Sequence, residues 1–465
     1  MAPGSRGPGG AGSDDLRITS MFLVRPFPHN GFRAKRAERA GQVEQGWFER
    51  LTEVMSGVEV MVGARDALFA VGDIERTAEA EALLAEAFWL QGQRDRAFER
   101  IGAAESLIAD EASSESKAYV LSNLSRYLML AGEDAEAIRI GKEALEMAEQ
   151  LGLEELRAHA LNNIGSARTR SGDAGGLEDL EQSVAIAVAI NSPESTRSYG
   201  NLASMLADLG QLERSSEMVA EGLKLAERFG LWEPMNWLTA ETAWPLYFRG
   251  QWREAFQQLD ELIADFEESG FWMETSCRGL RGRMRLARGD LKGAQADAER
   301  AIERARIGKD PQVVWPALAF GARAFAATDE RRAEDLAGEL LSEQARGFTG
   351  SQQIDWALDL AVVASLIGRE EEFLEAAAHT TMVTPWLTAA AAYVSRDFQG
   401  AADVYAGIGA LPEEAYARLR GAEAFVRDGH RAEADAELAR ALQFWRLVGA
   451  TAYVREGEAL LAASA

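Results

Sequence analysis

The side chains best suited to chemistry in this chain recur at a fixed interval; they do not gather into a compact catalytic set. Asn123, Asn163 and Asn201 follow one another at intervals of 40 and 38 residues. An amide donates and accepts at once, so one per interval could run along the backbone of an extended peptide. The alternative is that asparagine simply tolerates a half-exposed helix position. Five of the eleven tryptophans crowd the next stretch: Trp232, Trp237, Trp244, Trp252 and Trp272. Exposed aromatics mark binding hot spots, whereas buried ones are core. Arg278, Arg281, Arg283, Arg285 and Arg288 then share one predicted helix, and all but Arg283 follow helical spacing along one face. They either pair with acids of adjacent helices or form an anion pocket.

Enzyme signatures do not occur. There is no G-x-x-x-x-G-K-[ST] loop, no G-x-G-x-x-G after a strand and no G-x-S-x-G turn. His29, His159, His379 and His430 are dispersed, without H-E-x-x-H spacing or a Cys/His cluster. The chain carries 74 acids, so any one carboxylate pair reads as helix-surface charge. No helix pair looks like a basic helix-turn-helix reader. The expectation is a chain that is not an enzyme, with no catalytic residues, metal ligands or cofactor.

The composition of the 465 residues, 47% apolar and 26% charged, is that of a folded chain. A net charge of −25 argues against a broad nucleic-acid or anionic-membrane surface, which would rest on Lys and Arg, and suits a basic partner. The single cysteine, Cys277, excludes an internal disulfide framework. No apolar run approaches the roughly 18 residues of a membrane helix. A cytoplasmic protein is expected.

The elements that would position these residues announce themselves as a repeat. In Leu130-Ala131-Gly132-Glu133-Asp134-Ala135-Glu136-Ala137 one helix ends, Gly132 turns, and acids open the next helix. The same pattern returns at Gly92, Gly172, Gly210, Gly250, Gly289, Gly368 and Gly429, with degenerate copies at Thr328 and Arg396. The spacings are 40, 40, 38, 40, 39, 39, 40, 28 and 33 residues. A period of this size means a solenoid. Seven residues before each turn stand Ala85, Ser125, Gly165, Ala203, Ala243, Gly282, Gly321, Ala361, Ala389 and Ala422, all small. The first helix of each pair must therefore lie against its partner with almost no side chain between them.

This pattern resembles the tetratricopeptide repeat: a small residue in the first helix, a glycine turn, and a small residue five later such as Ala97, Ala137, Ala255 or Ala294. The resemblance implies an all-α fold, a right-handed α-solenoid of about ten helix pairs over residues 75–465. Capping helices are expected over 41–74 and a disordered or extended tail over 1–40. The period exceeds the family's 34 residues, and the surplus is assigned to stretches between repeats such as Gln150-Leu151-Gly152-Leu153. Repeats lengthened in this way are similar to those in the C-terminal arms of bacterial ATPase-type transcription activators and nucleotide cyclases.

The resemblance also places the first helices on a concave groove, with positions thirteen, nine and six before each turn pointing inward. Tyr119, Asn123, Arg126, His159, Asn163, Asn201, Trp237, Trp244, Arg283 and Trp315 stand at such positions and are the candidate partner-binding residues. The family often holds peptides with an asparagine nine before the turn. The resulting expectation is a non-catalytic protein- or peptide-binding scaffold in regulation or signalling, with no direct nucleic-acid or membrane contact. The alternative is a small-effector sensor arm of a transcriptional or cyclase system, its pocket in the Trp/Arg region. Pro245 should kink its helix, and the array should be extended unless the superhelix closes on itself.

Overall fold

The computed structural model describes residues 58–345, 347 and 352–463. The tail expected over 1–40 and the first part of the capping segment lie outside the described residues. After a helical stretch over 58–70 come ten helix pairs and a last single helix. The first five pairs are α1 (Ile74–Leu90) with α2 (Arg94–Ile108), α3 (Glu115–Ala131) with α4 (Asp134–Leu151), α5 (Glu154–Arg170) with α6 (Gly175–Ala189), α7 (Glu194–Asp208) with α8 (Leu212–Phe229), and the broken α9 (Trp232–Glu241) and α10 (Ala243–Phe248) with α11 (Trp252–Ser269). The second five are α12 (Glu274–Arg288) with α13 (Leu291–Gly308), α14 (Pro311–Phe325) with α15 (Glu330–Glu343), α16 (Gln353–Ile367) with α17 (Glu370–Ala378), α18 (Pro385–Val394) with α19 (Phe398–Ile408), and α20 (Leu411–Asp428) with α21 (Arg431–Val448). The last helix is α22 (Thr451–Ala463). No strand occurs among the described residues. The array is a tetratricopeptide-like superhelix.

Gly132 shows how each pair is joined. Its φ of 83° is left-handed, and the amides of Gly132 and Glu133 close back on Met129 and Leu128 at 3.1 and 2.9 Å. The degenerate turn at Arg396 adopts the same conformation without a glycine, at φ 64°. The surplus length expected between repeats is instead helix. Gln150 and Leu151 belong to α4, and only Gly152 and Leu153 separate it from α5. The second helices α4, α8, α11, α13 and α21 each run 18 residues. A left-handed cap needs so little chain that the extra residues extend the helices.

All ten small residues seven before the turns are buried. A Cβ added to Gly165 would stand 2.7 Å from the Gly176 carbonyl oxygen. One added to Gly282 would stand 2.1 Å from the Phe320 ring. Serine fits only because its hydroxyl crosses the gap: Ser125 donates to the Ala137 carbonyl at 2.8 Å. Pro245 does break its helix. The interruption falls at Thr242, one residue past Glu241, whose carbonyl loses the amide that Pro245 lacks.

The array is not open: it takes the exception allowed above, a superhelix that closes on itself. Successive turns of the superhelix touch, joining residues 144 to 215 positions apart. Arg94 donates to the Lys309 carbonyl at 2.8 Å and pairs with Asp310 at 2.5 Å. The Trp386 indole donates to the Ala207 carbonyl at 2.8 Å. Tyr247 donates to Glu413 at 3.2 Å, and Thr451 to the Arg288 carbonyl at 2.8 Å. Asp208 accepts the Gln352 amide at 2.6 Å, receiving the N-terminus of α16 from 144 residues away. The helix-pair turns of one coil thus become the packing surface of the next.

Gly165→Ala is expected to cost about 1–3 kcal/mol, because backbone must move to admit one methyl. Gly102→Ala in α2, where nothing lies within 4 Å of the added Cβ, should instead stabilise by up to about 1 kcal/mol. Urea unfolding of the two variants beside the parent checks both signs.

Candidate functional site: the concave face

The first helices α3, α5, α7 and α9 present one face to the inside of the coil, and the asparagines stand on it. Their amides are engaged within the protein. Asn163 donates to the Ser122 carbonyl on α3 at 2.9 Å and accepts from Arg197 on α7 at 3.0 Å, bridging three consecutive first helices. Asn201, half-buried, donates to Asn162 at 2.9 Å. Asn123 donates to the Tyr119 carbonyl of its own helix at 3.0 Å. Asn163 and Asn201 thus bridge neighbouring first helices, a role outside both readings of the ladder, and Asn123 does not. Asn162, fully buried, passes the chain of bonds on to Glu194 at 3.2 Å.

Charged side chains fill the space between them. Arg126 pairs with Glu86 of α1 at 3.2 Å, and Arg197 with Glu194 at 2.7 Å. Burial opposes the charge of Arg126, but Glu86, Tyr127, Glu233 and Glu194 together raise its pKa. Burial also works against Glu194, and the Arg197 guanidinium, helped by a hydrogen bond from Asn162, holds it below the ordinary carboxylate range. His159 goes the other way: burial, then the Arg197 guanidinium, lowers its imidazole to about 3. It is therefore neutral, with Nδ1 at 2.7 Å from the Ser122 hydroxyl. Burial, with Glu86 next, raises the Tyr119 phenol. Glu86 and Arg197 are not among the residues that the sequence singles out, although they stand six and thirteen residues before their turns, the register used for the others; charge is too abundant in this chain to mark them.

The aromatic residues divide. Trp237 stays half-buried on the concave face, its indole donating to Glu241 at 3.3 Å and its ring pressed over Gly200, where a Cβ would lie 2.4 Å away. Trp272 tilts against it at 6.4 Å. Trp244 departs from the expectation: it is buried and stacks on Phe248 at 5.5 Å. Arg283 departs likewise, bonded to Asp359 at 2.9 Å and to the Asp355 carbonyl. Trp244 is covered by its own helix and by Arg283 at 5.8 Å, and Arg283 by Asp355 and Asp359 of α16, two pairs along the array. Trp315 lies farther along and donates to Glu343 at 3.0 Å. Trp252 is core, donating to the Tyr247 carbonyl at 3.0 Å.

The remaining arginines of α12 form no anion pocket. Arg278, Arg281 and Arg285 all reach Asp297 on the paired helix α13, at 3.3, 2.5 and 2.8 Å. Arg288 lies over the Phe256 ring at 4.9 Å. Beside Arg283, Arg323 and Glu413 a cavity remains with about 20 Å³ for the centre of a water. That is room for one or two waters rather than an effector. No group of three or more potential metal ligands occurs among the described residues. No described helix is long and apolar enough to cross a membrane.

No protein-family profile matches the chain, and no curated protein matches it either. Solved structures do align with it. One is a signal transduction ATPase with numerous domains and a tetratricopeptide repeat sensor, from Pyrococcus horikoshii. It is 18% identical over 66% of this chain and 48% of that one, with a TM-score of 0.40. This chain thus spans about half of that protein's length. A Rap protein complexed with competence and sporulation factor is 14% identical over 76% of this chain and 99% of that one, with a TM-score of 0.47. The apo form of the quorum sensor NprR from B. thuringiensis is 13% identical over 80% and 99%, with a TM-score of 0.43. At these scores the functional reading rests on the groove itself.

Asn163→Ala is expected to lower stability by about 1–3 kcal/mol, since it strands a buried carbonyl and part of Arg197. Asn201→Ala, at a half-buried site, should cost less. Thermal melting of the two variants compares them.

Stability should also fall as pH rises. Burial pushes Asp208, Asp355 and Glu413 up to about 7, and Glu241 up to about 8. Between the unfolded carboxylate range and these values the folded chain holds more protons than the unfolded one, so stability declines with pH. Urea midpoints measured from pH 5 to pH 8.5 should therefore decrease from pH 5 to about pH 7 and level off above about pH 8.

Proposed function

We propose that this chain is a non-catalytic scaffold that holds a protein or peptide segment along its concave face, as an interaction module in regulation or signalling. One observation carries the reading. Arg126 on α3 lies within electrostatic range of Glu86, Glu194 and Glu233, which stand on the first helices of the pairs before and after it. Charged and aromatic side chains from four first helices thus converge on one confined space. Many of these groups are already held by neighbours, so a partner would meet a face that needs little reordering. The candidate contact residues are Tyr119, Arg126, His159, Asn201 and Trp237, with Glu86 and Arg197. Asn163, which bridges three first helices, acts as a spacer between them, and Asn123 stays bonded within its own helix. The sensor alternative loses support where Asp297, with Glu274, Asp260 and Asp290, pairs Arg278, Arg281 and Arg285, and where the cavity beside Arg283 admits only water.

Random dodecapeptides selected on the immobilised protein test the proposal. Bound peptides should slow hydrogen exchange in α3, α5, α7 and α9. Arg126→Ala should weaken them about tenfold, the scale of a hot-spot truncation. Protection confined to the second helices, or no selectable peptide at all, would remove the proposal.

A further inference from the structure

The end of the groove nearest the break at Thr242 has a composition of its own. Glu233, Trp237 and Glu241 stand four residues apart and so share one face of α9. Trp237 donates to Glu241 at 3.3 Å, Trp272 tilts against Trp237 at 6.4 Å, and the Trp272 indole lies beside Glu233 and steadies its carboxylate. Two carboxylates and two indoles thus form one connected set. Elsewhere on the concave face acids are matched: Glu86 has Arg126, and Glu194 has Arg197. Glu233 and Glu241 form no ion pair among the described residues.

The surroundings make this imbalance costly. Burial raises Glu233 above the ordinary carboxylate range against the pull of Arg126. Burial, with Asp355 and Asp208 nearby, pushes Glu241 up to about 8. The break at Thr242 also ends α9 directly after Glu241, so the negative end of the helix dipole adds to the same region. The carboxylates and the helix end favour an incoming positive charge, indole faces attract cations as well, and only Arg126 and Arg197, on the Glu233 side, oppose it. The Gly200 backbone fixes Trp237 in place, so the site is formed before anything binds.

We infer that Glu233, Trp237, Glu241 and Trp272 form a recognition box for one lysine or arginine side chain of the bound peptide. The inference rests on the groove reading above and specifies its ligand. The net charge of −25 would draw such a basic segment toward the protein. Burial of a cation between these groups would replace the missing countercharge and let Glu241 ionise.

The same dodecapeptide selection tests it. The recovered sequences should share a lysine or arginine at one position relative to their other common residues. Changing that residue to glutamine in a synthetic peptide should weaken binding to the parent protein about tenfold, the lower range for a desolvated cation on an aromatic face with a countercharge. The double variant Glu233→Gln with Glu241→Gln should lose the preference and bind both peptides alike. The peptide substitution needs no protein variant, so the result stands even if the double variant folds poorly. Peptides that protect the first helices but show no basic preference would overturn the box and leave the scaffold reading intact. Recovery of no peptide would remove both. Binding of spermidine that the double substitution abolishes, with peptides indifferent to it, would overturn the peptide side chain as the occupant.

Discussion

The distance between two helices at one residue governs this molecule. Seven positions before each turn the first helix passes its partner so closely that Gly165 and Gly176 oppose each other backbone to backbone. A side chain of ordinary size there would splay the pair and change the angle at which the next pair is added. Because ten pairs are stacked, small errors in that angle would accumulate. The repetition of small residues keeps the rise and curvature constant, and constant curvature brings one coil back onto the last.

That return turns a groove into an enclosed space. In an open solenoid the concave face would be bathed in water, and ion pairs on it would contribute little. Here Arg94 and Asp310, Asp208 and the start of α16, and Tyr247 and Glu413 close the coils on each other. The later part of the interior is filled by Arg283, Arg323 and Asp359. The earlier part is lined by Arg126, Arg197, His159 and Trp237, with Glu86 and Glu194 paired among them. Confinement explains why half-exposed groups such as His159 and Glu241 have strongly displaced protonation: little water reaches them and their neighbours are charged.

Local features were legible in the sequence. Gly132 and its equivalents, the small residues from Ala85 to Ala422 and the break that Pro245 imposes all act within a few residues, so their spacing alone locates the pairs. The residue types of the concave face could be read as well, since Tyr119, Arg126 and Trp237 fall in a common register. Partners could not. Nothing near Arg281 in sequence points to Asp297 on the next helix, and nothing near Trp386 points to the Ala207 carbonyl 179 residues away. Contact between coils arises from curvature summed over five pairs, which no single residue encodes. Trp244 and Arg283 are therefore expected in open groove and are instead covered, Trp244 by its own helix and Arg283 by the acids of α16.

The account depends most on that contact between coils, and a distance across it is the most direct measurement. Spin labels at Asp95→Cys and Ile307→Cys would sit on exposed positions next to the Arg94–Asp310 pair. Cys277 is buried, with its thiol pushed up by that burial, and would stay unlabelled. Touching coils predict a single short and narrow distance distribution in double electron–electron resonance. An open array would place these positions five pairs apart, about 50 Å at about 10 Å per step. A broad distribution centred there would contradict the account.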